Sequence, residues 1–121
     1  KLYFTLIYPK IKCSTKKIYS KVKKFSKKEN LNIMKINSKK NFLDYLSKNR
    51  NDLQFVVEKE YPFLKTLLTD IKKEKGCYFS RMTGSGSVCY GLFEDIIVAK
   101  KALNKLKTKY PKFWFSLAKT V

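Results

Sequence analysis

Short runs and stripes of apolar residues divide the chain into predicted strands and helices separated by polar segments. The run over residues 2–8 is rich in β-branched and aromatic side chains and is closed by Pro9. It predicts a first strand that is buried on both faces. Ser14-Thr15 then offers an N-cap for a helix. A polar stretch follows, and the apolar spacing around Leu43 predicts a short helix.

The middle of the chain predicts two further helices with recognisable ends. Asn51-Asp52 opens the first of them, and Asp52 is the expected N-cap. Pro62 lies near the first turn of the second helix, where its missing N–H group is not needed, and Gly76 ends that helix as a C′ residue. The second helix carries an apolar stripe formed by Leu64, Leu67, Leu68 and Ile71.

The last third of the chain predicts a hairpin, a helix and a strand. Two strand-like runs within residues 77–93, the first beginning at Cys77, flank a tight glycine-containing loop. Asp95 is the expected N-cap of the helix that follows. Apolar side chains then alternate along a final strand, and we expect Phe113 and Trp114 to lie in the core.

The predicted order of elements is β-α-α-α-α-β-β-α-β. Without the inserted helices, this is the split β-α-β order of ferredoxin-like folds. We therefore predict an α+β fold with a four-stranded antiparallel sheet, helices on one face of it and an inserted helical segment. The sequence contains neither an internal repeat nor a linker, so residues 1–121 are predicted to form a single domain.

Composition narrows the classes of function. The hydrophobic fraction of 44% is too high for a disordered tail, and no run approaches the roughly 18 apolar residues of a membrane helix. Histidine is absent, which excludes His-based catalysis and His-ligated metals, and we expect no metal site. Three cysteines without a Cys-x-x-Cys pair suit a reducing, cytoplasmic compartment. The chain does not begin with Met, so we expect it to begin within a longer protein.

The balance of charge is strongly basic, with 28 Lys and Arg against 9 Asp and Glu and a formal net charge of +19. A field of this size attracts polyanions. Arg50 and Arg81 are the only arginines, however, and the lysines fill the polar faces of the predicted helices. Proteins that read nucleic-acid sequence depend on the planar guanidinium group. We therefore interpret the lysines as solvated side chains on helix surfaces rather than as a nucleic-acid site. A genome rich in A/T codons would by itself increase the number of lysines. Attraction of a small anion remains an alternative.

Three of the four glycines, Gly84, Gly86 and Gly91, fall within eight residues. Small residues on both sides of Ser85 allow backbone N–H groups to converge on an anion, and the neighbouring hydroxyl groups add donors. Arg81 precedes this segment and is a candidate anion contact. A glycine hairpin turn without a ligand is the alternative interpretation. The candidate phosphate- or substrate-binding residues, which we call the glycine loop, are Thr83, Gly84, Ser85, Gly86 and Ser87.

Residues 81–93 resemble the third conserved motif of the GHMP kinase superfamily, which includes galactose, homoserine and mevalonate kinases. More narrowly, the chain resembles the C-terminal half of the member family that acts on 4-diphosphocytidyl-2-C-methyl-D-erythritol, and the resemblance covers essentially all 121 residues. Three further similarities support the narrower match: Pro9 followed by Ser14-Thr15, Asn51-Asp52-Leu53 followed by Tyr61-Pro62, and the ending from Trp114 to Thr120.

The resemblance implies one half of an enzyme that moves the γ-phosphoryl group of ATP onto an alcohol of this diphosphocytidyl substrate, in non-mevalonate isoprenoid synthesis. It implies that ATP with Mg²⁺ is bound mainly by an N-terminal kinase domain, which is the expected partner and carries the catalytic residues. No catalytic residue is expected in this segment, which alone should be inactive. The glycine loop would border the phosphate and substrate cleft, and Asn51 would contact the substrate or the partner domain.

The competing interpretation is a stand-alone basic ferredoxin-like module that binds nucleic acid or a small anionic effector. Ferredoxin-like sheets with aromatic faces bind RNA, and this chain is both basic and aromatic. Its strands lack the glycine and aromatic signature of an RNA recognition motif, to which Gly91-Leu92-Phe93 is a poor match. Affinity that falls steeply with salt would distinguish a nucleic-acid site.

Overall fold

A four-stranded sheet organises the computed structural model of the chain, which describes residues 1–12, 14–21, 43, 51–84 and 86–120. The short helix predicted around Leu43 lies outside the described residues, except for Leu43 itself, which is helical. The strands and helices follow in chain order as β1 (Tyr3–Tyr8), α1 (Thr15–Ser20), α2 (Asp52–Glu60), α3 (Phe63–Lys72), β2 (Ser80–Met82), β3 (Cys89–Phe93), α4 (Ile96–Lys109) and β4 (Trp114–Lys119).

The strands lie in the order β2-β3-β1-β4, and every neighbouring pair is antiparallel. The connection from β1 to β2 therefore passes over β3, and the connection from β3 to β4 passes over β1. Only the β2–β3 pair is a hairpin. This is the split β-α-β topology, so the predicted fold class is confirmed.

Helices α3 and α4 cover the first face of the sheet. All four stripe residues of α3 are buried, as predicted, and they pack against Ile7, Met82 and Cys89 of the sheet. Burial of one such Leu or Ile side chain contributes roughly 1.5–3 kcal/mol. Helix α4 adds Ala99, Ala102 and Leu106, whose small or slender side chains let the helix lie close to the strands. Helix α2 extends the same core through Leu53, Val56 and Val57.

The second face of the sheet is covered only in part. Leu43 is 4% exposed and joins a small cluster with three residues of the sheet region, Leu2, Phe79 and Leu92. Side chains of β1 alternate accordingly: Thr5 and Ile7 on the first face are fully buried, whereas Phe4, Leu6 and Tyr8 on the second face are half-buried. The prediction that the first strand is buried on both faces is therefore wrong for Phe4, Leu6 and Tyr8 on the second face.

The prediction that Trp114 lies in the core is also wrong. Trp114 is 51% exposed, and it pairs with Tyr8 across β4 and β1 on the partly covered second face. Phe113, by contrast, packs against the core and stacks on Tyr110, with 5.0 Å between ring centroids. Alternation along a strand defines two faces but does not say which of them another layer will cover.

Two predicted ends of elements are corrected by backbone geometry. Helix α3 ends at Lys72, so Gly76 is not its C′ residue; with φ of 85° it makes the turn that leads toward the sheet. Strand β2 begins at Ser80 rather than at Cys77. The predicted cap of α4 is confirmed, because Asp95 Oδ1 accepts hydrogen bonds from Ile97 N at 2.7 Å and from Val98 N at 3.2 Å.

Candidate functional site at the glycine loop

The glycine loop lies at the end of the sheet where β1 also ends, because Met82 and Ile7 both pair with Cys89. Two other segments reach the loop there: the start of α2 and the residues that follow β1. Their hydrogen bonds join residues 28 to 76 positions apart in the sequence. The site is therefore assembled by the fold rather than by one continuous motif.

Internal hydrogen bonds close the loop. Thr83 N donates to Val88 O at 2.8 Å, and Gly86 N donates to Thr83 O at 3.0 Å. Gly84 and Gly86 have φ of 46° and 101°, a region that favours glycine, so these two glycines are required by the turn itself. Ser85, the middle one of the five predicted loop residues, lies outside the described part of the chain.

Asn51 joins the start of α2 to the glycine loop. Its Oδ1 accepts from Leu53 N at 2.9 Å, so Asn51 is the N-cap of α2. The prediction of Asp52 as the cap is wrong, since Asp52 is the first residue of the helix itself. The Nδ2 of Asn51 donates to the carbonyls of Met82 at 2.9 Å and Gly84 at 2.6 Å. The structure thus brings Asn51 to the loop, as a support beneath it.

Gln54 is a contact that sequence reasoning missed. Its Oε1 accepts a hydrogen bond from Met82 N at 2.9 Å, and its Nε2 donates to Glu58 Oε1 at 3.2 Å. Gln54 stands three residues after the N-cap Asn51, the spacing of a capping box. That spacing could have indicated a structural role for Gln54. Here, however, its side chain binds Met82 of β2 instead of the backbone of the N-cap residue.

Ser87 ties the other end of the loop to the segment after β1. It is 2% exposed, and its hydroxyl donates to the carbonyl of Ile11. The hydroxyl hydrogen of Ser87 is thus used within the fold. Just before this contact, Lys10 adopts φ of 62°, which is uncommon for a residue with a side chain and marks a sharp turn out of β1.

Arg81 was a predicted site residue, but its side chain lies over the sheet rather than beside the glycine loop. It lies on the second face of the sheet, opposite Tyr90 in the β2–β3 pair. Its guanidinium carbon sits 4.6 Å from the centre of the Phe79 ring. This cation–π stacking holds the side chain over the sheet.

Thr83 and Gly84 form the solvent-facing tip of the loop, and both are exposed. A Cβ at Gly84 would meet no heavy atom within 4 Å, so its backbone is open to an approaching ligand. Hydroxyl and backbone amide groups donate hydrogen bonds to phosphate oxygens but do not ionise near neutral pH. The tip is therefore suited to holding an anion and not to acid–base catalysis.

Within the described ranges, Cys89 contacts the loop residue Ser87, and its side chain is fully buried. Burial raises the pKa of the Cys77 thiol to about 11, so this side chain stays protonated near neutral pH. Among the residues that the structure describes, no group of three or more His, Cys, Asp or Glu side chains is placed to hold a metal ion.

Comparison with known proteins supplies the family of this fold and loop. The family described as GHMP kinases C terminal matches residues 29–112, well over half of the chain. The chain belongs to the GHMP kinase C-terminal family. The resemblance drawn from the glycine loop is confirmed at this level, and the α+β sheet described above is the GHMP C-terminal fold.

Two curated relatives of this GHMP domain carry the same enzyme name. A protein of Wolbachia pipientis wMel is 36% identical over 75 residues, which is 62% of this chain and 26% of the relative. A protein of Jannaschia sp. is 37% identical over 75 residues, with the same two shares. Both are named 4-diphosphocytidyl-2-C-methyl-D-erythritol kinase. The aligned region spans about a quarter of the length of these relatives.

Solved structures share the fold of the GHMP domain. A crystal structure of 4-(cytidine 5'-diphospho)-2C-methyl-D-erythritol kinase superposes with a TM-score of 0.72 at 21% identity, covering 97% of this chain and 43% of that one. A homoserine kinase from Cytophaga hutchinsonii gives a TM-score of 0.52 at 18% identity, covering 99% and 42%. Within the described ranges of this chain, no helix is long and apolar enough to cross a membrane.

Proposed function

We propose that this GHMP domain is the C-terminal part of an ATP-dependent kinase that phosphorylates 4-diphosphocytidyl-2-C-methyl-D-erythritol in non-mevalonate isoprenoid precursor synthesis. The observation that carries the proposal is the exposed Thr83–Gly84 tip of the loop. Two other segments hold this loop: the start of α2, through Asn51 and Gln54, and the residues after β1, through the bond of Ser87 to Ile11. The shared name of the curated relatives supports the choice of substrate.

The glycine loop contributes phosphate contacts in this proposal. Phosphoryl transfer depends almost wholly on positioning and on stabilising negative charge. Thr83 and Gly84 are exposed, so the Thr83 hydroxyl and the Gly84 N–H can donate to phosphate oxygens of the substrate or nucleotide. The net charge of +19 adds a field that draws such anions toward the domain.

Binding of ATP with Mg²⁺ is assigned to an N-terminal kinase domain of the same polypeptide. This chain covers 43% of the solved kinase, so more than half of that enzyme has no counterpart in these residues. We therefore expect the isolated 121 residues to transfer no phosphoryl group.

A phosphoryl-transfer assay on the full natural polypeptide tests the proposal. ATP consumption should depend on added 4-diphosphocytidyl-2-C-methyl-D-erythritol. Thr83→Val removes the exposed hydroxyl at nearly constant shape and should lower kcat/KM by about tenfold, which corresponds to one lost hydrogen bond to a charged group.

Thr108→Val is the matched control, because Thr108 is also exposed and its hydroxyl donates only locally, to Asn104 O at 3.0 Å on α4. Its kcat/KM should equal that of the wild type. Absence of substrate-dependent ATP consumption by the full polypeptide contradicts the proposed activity. Equal losses in the two threonine variants contradict the role of the loop tip.

A further inference from the structure

The side chain of Asn51 donates both of its hydrogens, one to the last residue of β2 and one to the loop that follows it. The two bonds, to the carbonyls of Met82 and Gly84, are 2.9 and 2.6 Å long. A carboxamide has two N–H donors, so none remains for a substrate or a partner domain. Asn51 thus starts a helix with one atom and holds two carbonyls with another.

Gln54 binds the backbone N–H of Met82, the residue whose carbonyl is bound by Asn51. Met82 N donates to Gln54 Oε1, so the amide and the carbonyl of Met82 are both bound by side chains of α2. The bond from Gln54 Nε2 to Glu58 one turn later fixes which end of the glutamine faces Met82. Met82 is itself 1% exposed, which anchors the junction in the core.

We infer that Asn51 and Gln54 are positioning residues that set the backbone of the glycine loop for phosphate contact; this inference rests on the proposed function. The bond from Asn51 Nδ2 holds the carbonyl of Gly84, a residue of the exposed tip of the loop. Fixed donors stabilise transferring phosphoryl groups better than mobile ones, because no reorganisation is needed during the reaction. The residues at the start of α2 thereby hold the exposed glycine loop in one conformation.

Asn51→Asp in the full natural polypeptide separates this role from helix capping. Asp and Asn are equivalent as N-caps, so the bond from Leu53 N is kept, but both donors are lost and a carboxylate faces two carbonyl oxygens. We expect kcat to fall by about tenfold or more with little change in KM for the diphosphocytidyl substrate.

Hydrogen exchange gives a readout that does not depend on activity. The amides of Thr83 and Gly86 are bonded within the loop and so report its order. In Asn51→Asp, exchange at these two amides should quicken about tenfold or more, whereas the amides of α2 should exchange as in the wild type.

Asp95→Asn is the matched control, since it makes the reverse exchange at the N-cap of α4, whose bonds run to Ile97 and Val98. It should change neither kcat nor exchange in the glycine loop. Gln54→Met removes the acceptor for Met82 N at similar length. It should repeat the effects of Asn51→Asp, and it keeps the test decisive if that variant does not fold.

Unchanged exchange at Thr83 and Gly86 in both α2 variants overturns the inference. Faster exchange with unchanged kcat overturns the positioning role as well. A wild-type polypeptide that transfers no phosphoryl group, while its loop still loosens in both variants, contradicts the proposed function but supports control of the loop by α2.

Discussion

Gly91 is a residue at which the packing of the sheet against α3 leaves no room for a side chain. A Cβ there would lie 2.6 Å from Ile71 Cγ2 and 3.1 Å from Thr5 Oγ1. We expect Gly91→Ala to lower the free energy of unfolding by about 1–3 kcal/mol, the usual effect of overpacking a core. Urea unfolding followed by circular dichroism measures this change.

Gly84→Ala is the comparison for that variant, because a Cβ at Gly84 has open space but must adopt φ of +46°. Strain alone should lower the free energy of unfolding by about 1 kcal/mol. An equal or larger loss at Gly84 than at Gly91 would show that the close approach of α3 to β3 is not what excludes a side chain.

Single residues also show where sequence reasoning fails at the site. Clustered glycines predicted the loop because positive φ is a local requirement. The choice between Asn51 and Asp52 as N-cap was not local, since either residue type caps a helix. Only Asn51 has donors, and the carbonyls that receive them lie 31 and 33 residues further on. Gln54 was missed for the same reason.

At the scale of elements, Asp70 fastens α3 to the end of α4. Its Oδ2 lies 2.8 Å from Lys109 Nζ and also accepts a hydrogen bond from the Tyr110 hydroxyl. Burial by itself would raise the pKa of Asp70. The bonds from Lys109 and Tyr110, together with the charges of Lys109 and Lys73, outweigh burial and hold that pKa below its ordinary value.

Stability conferred by this contact should therefore depend on pH. Because the pKa of Asp70 is lower in the folded state than in the unfolded state, the stabilisation is complete above the unfolded value and is lost as pH falls through the folded value. The difference in unfolding free energy between wild type and Asp70→Asn should be constant near neutral pH and should shrink below about pH 4. Urea titrations over a pH series measure it.

Tyr110→Phe is the control for the other side of this contact, because it keeps the ring against Phe113 and removes the hydroxyl. Burial and the hydrogen bond to Asp70 raise the pKa of Tyr110 to about 12. Stabilisation by the hydroxyl is thus present below pH 10 and lost as pH rises through about 12. A wild-type advantage that persists unchanged at both pH extremes would contradict the contact.

Helices and strands were predicted well where the signal lies in a few consecutive residues. Burial was predicted poorly where it depends on which other elements cover the sheet. The stripe of α3 and the Asp95 cap are properties of a few consecutive residues, and both are confirmed. The exposure of Trp114 and of the second face of β1 depends on which elements cover the sheet. The spacing of apolar residues along a strand carries no information about that coverage. Gly76 has the expected positive φ but serves a later turn than the end of α3.

For the whole molecule, the charge of +19 predicts a response to salt. The described residues form ion pairs at Lys21–Glu60 and Lys109–Asp70, and the lysines in the described ranges are exposed. Self-repulsion of like charges destabilises a compact state. Tm should therefore rise when NaCl increases from about 0.01 to about 0.15 M, since the screening length falls from about 30 to about 8 Å.

Scanning calorimetry at several concentrations of NaCl measures that rise. An equal osmolality of an uncharged solute should give a smaller increase, because it does not screen charge. A Tm that is flat or falls with NaCl would show that the lysine faces do not oppose folding. This response concerns the domain alone, and it needs no substrate and no partner domain.

Trp114 gives the molecule a natural optical label. It is the only tryptophan of the chain, it is half exposed, and it begins β4 at the end of the sheet that also carries the glycine loop. Indole emission moves toward shorter wavelengths when water around the ring is replaced by apolar groups. The fluorescence of the unlabelled chain is therefore a direct spectroscopic record of whatever comes to cover that end of the domain.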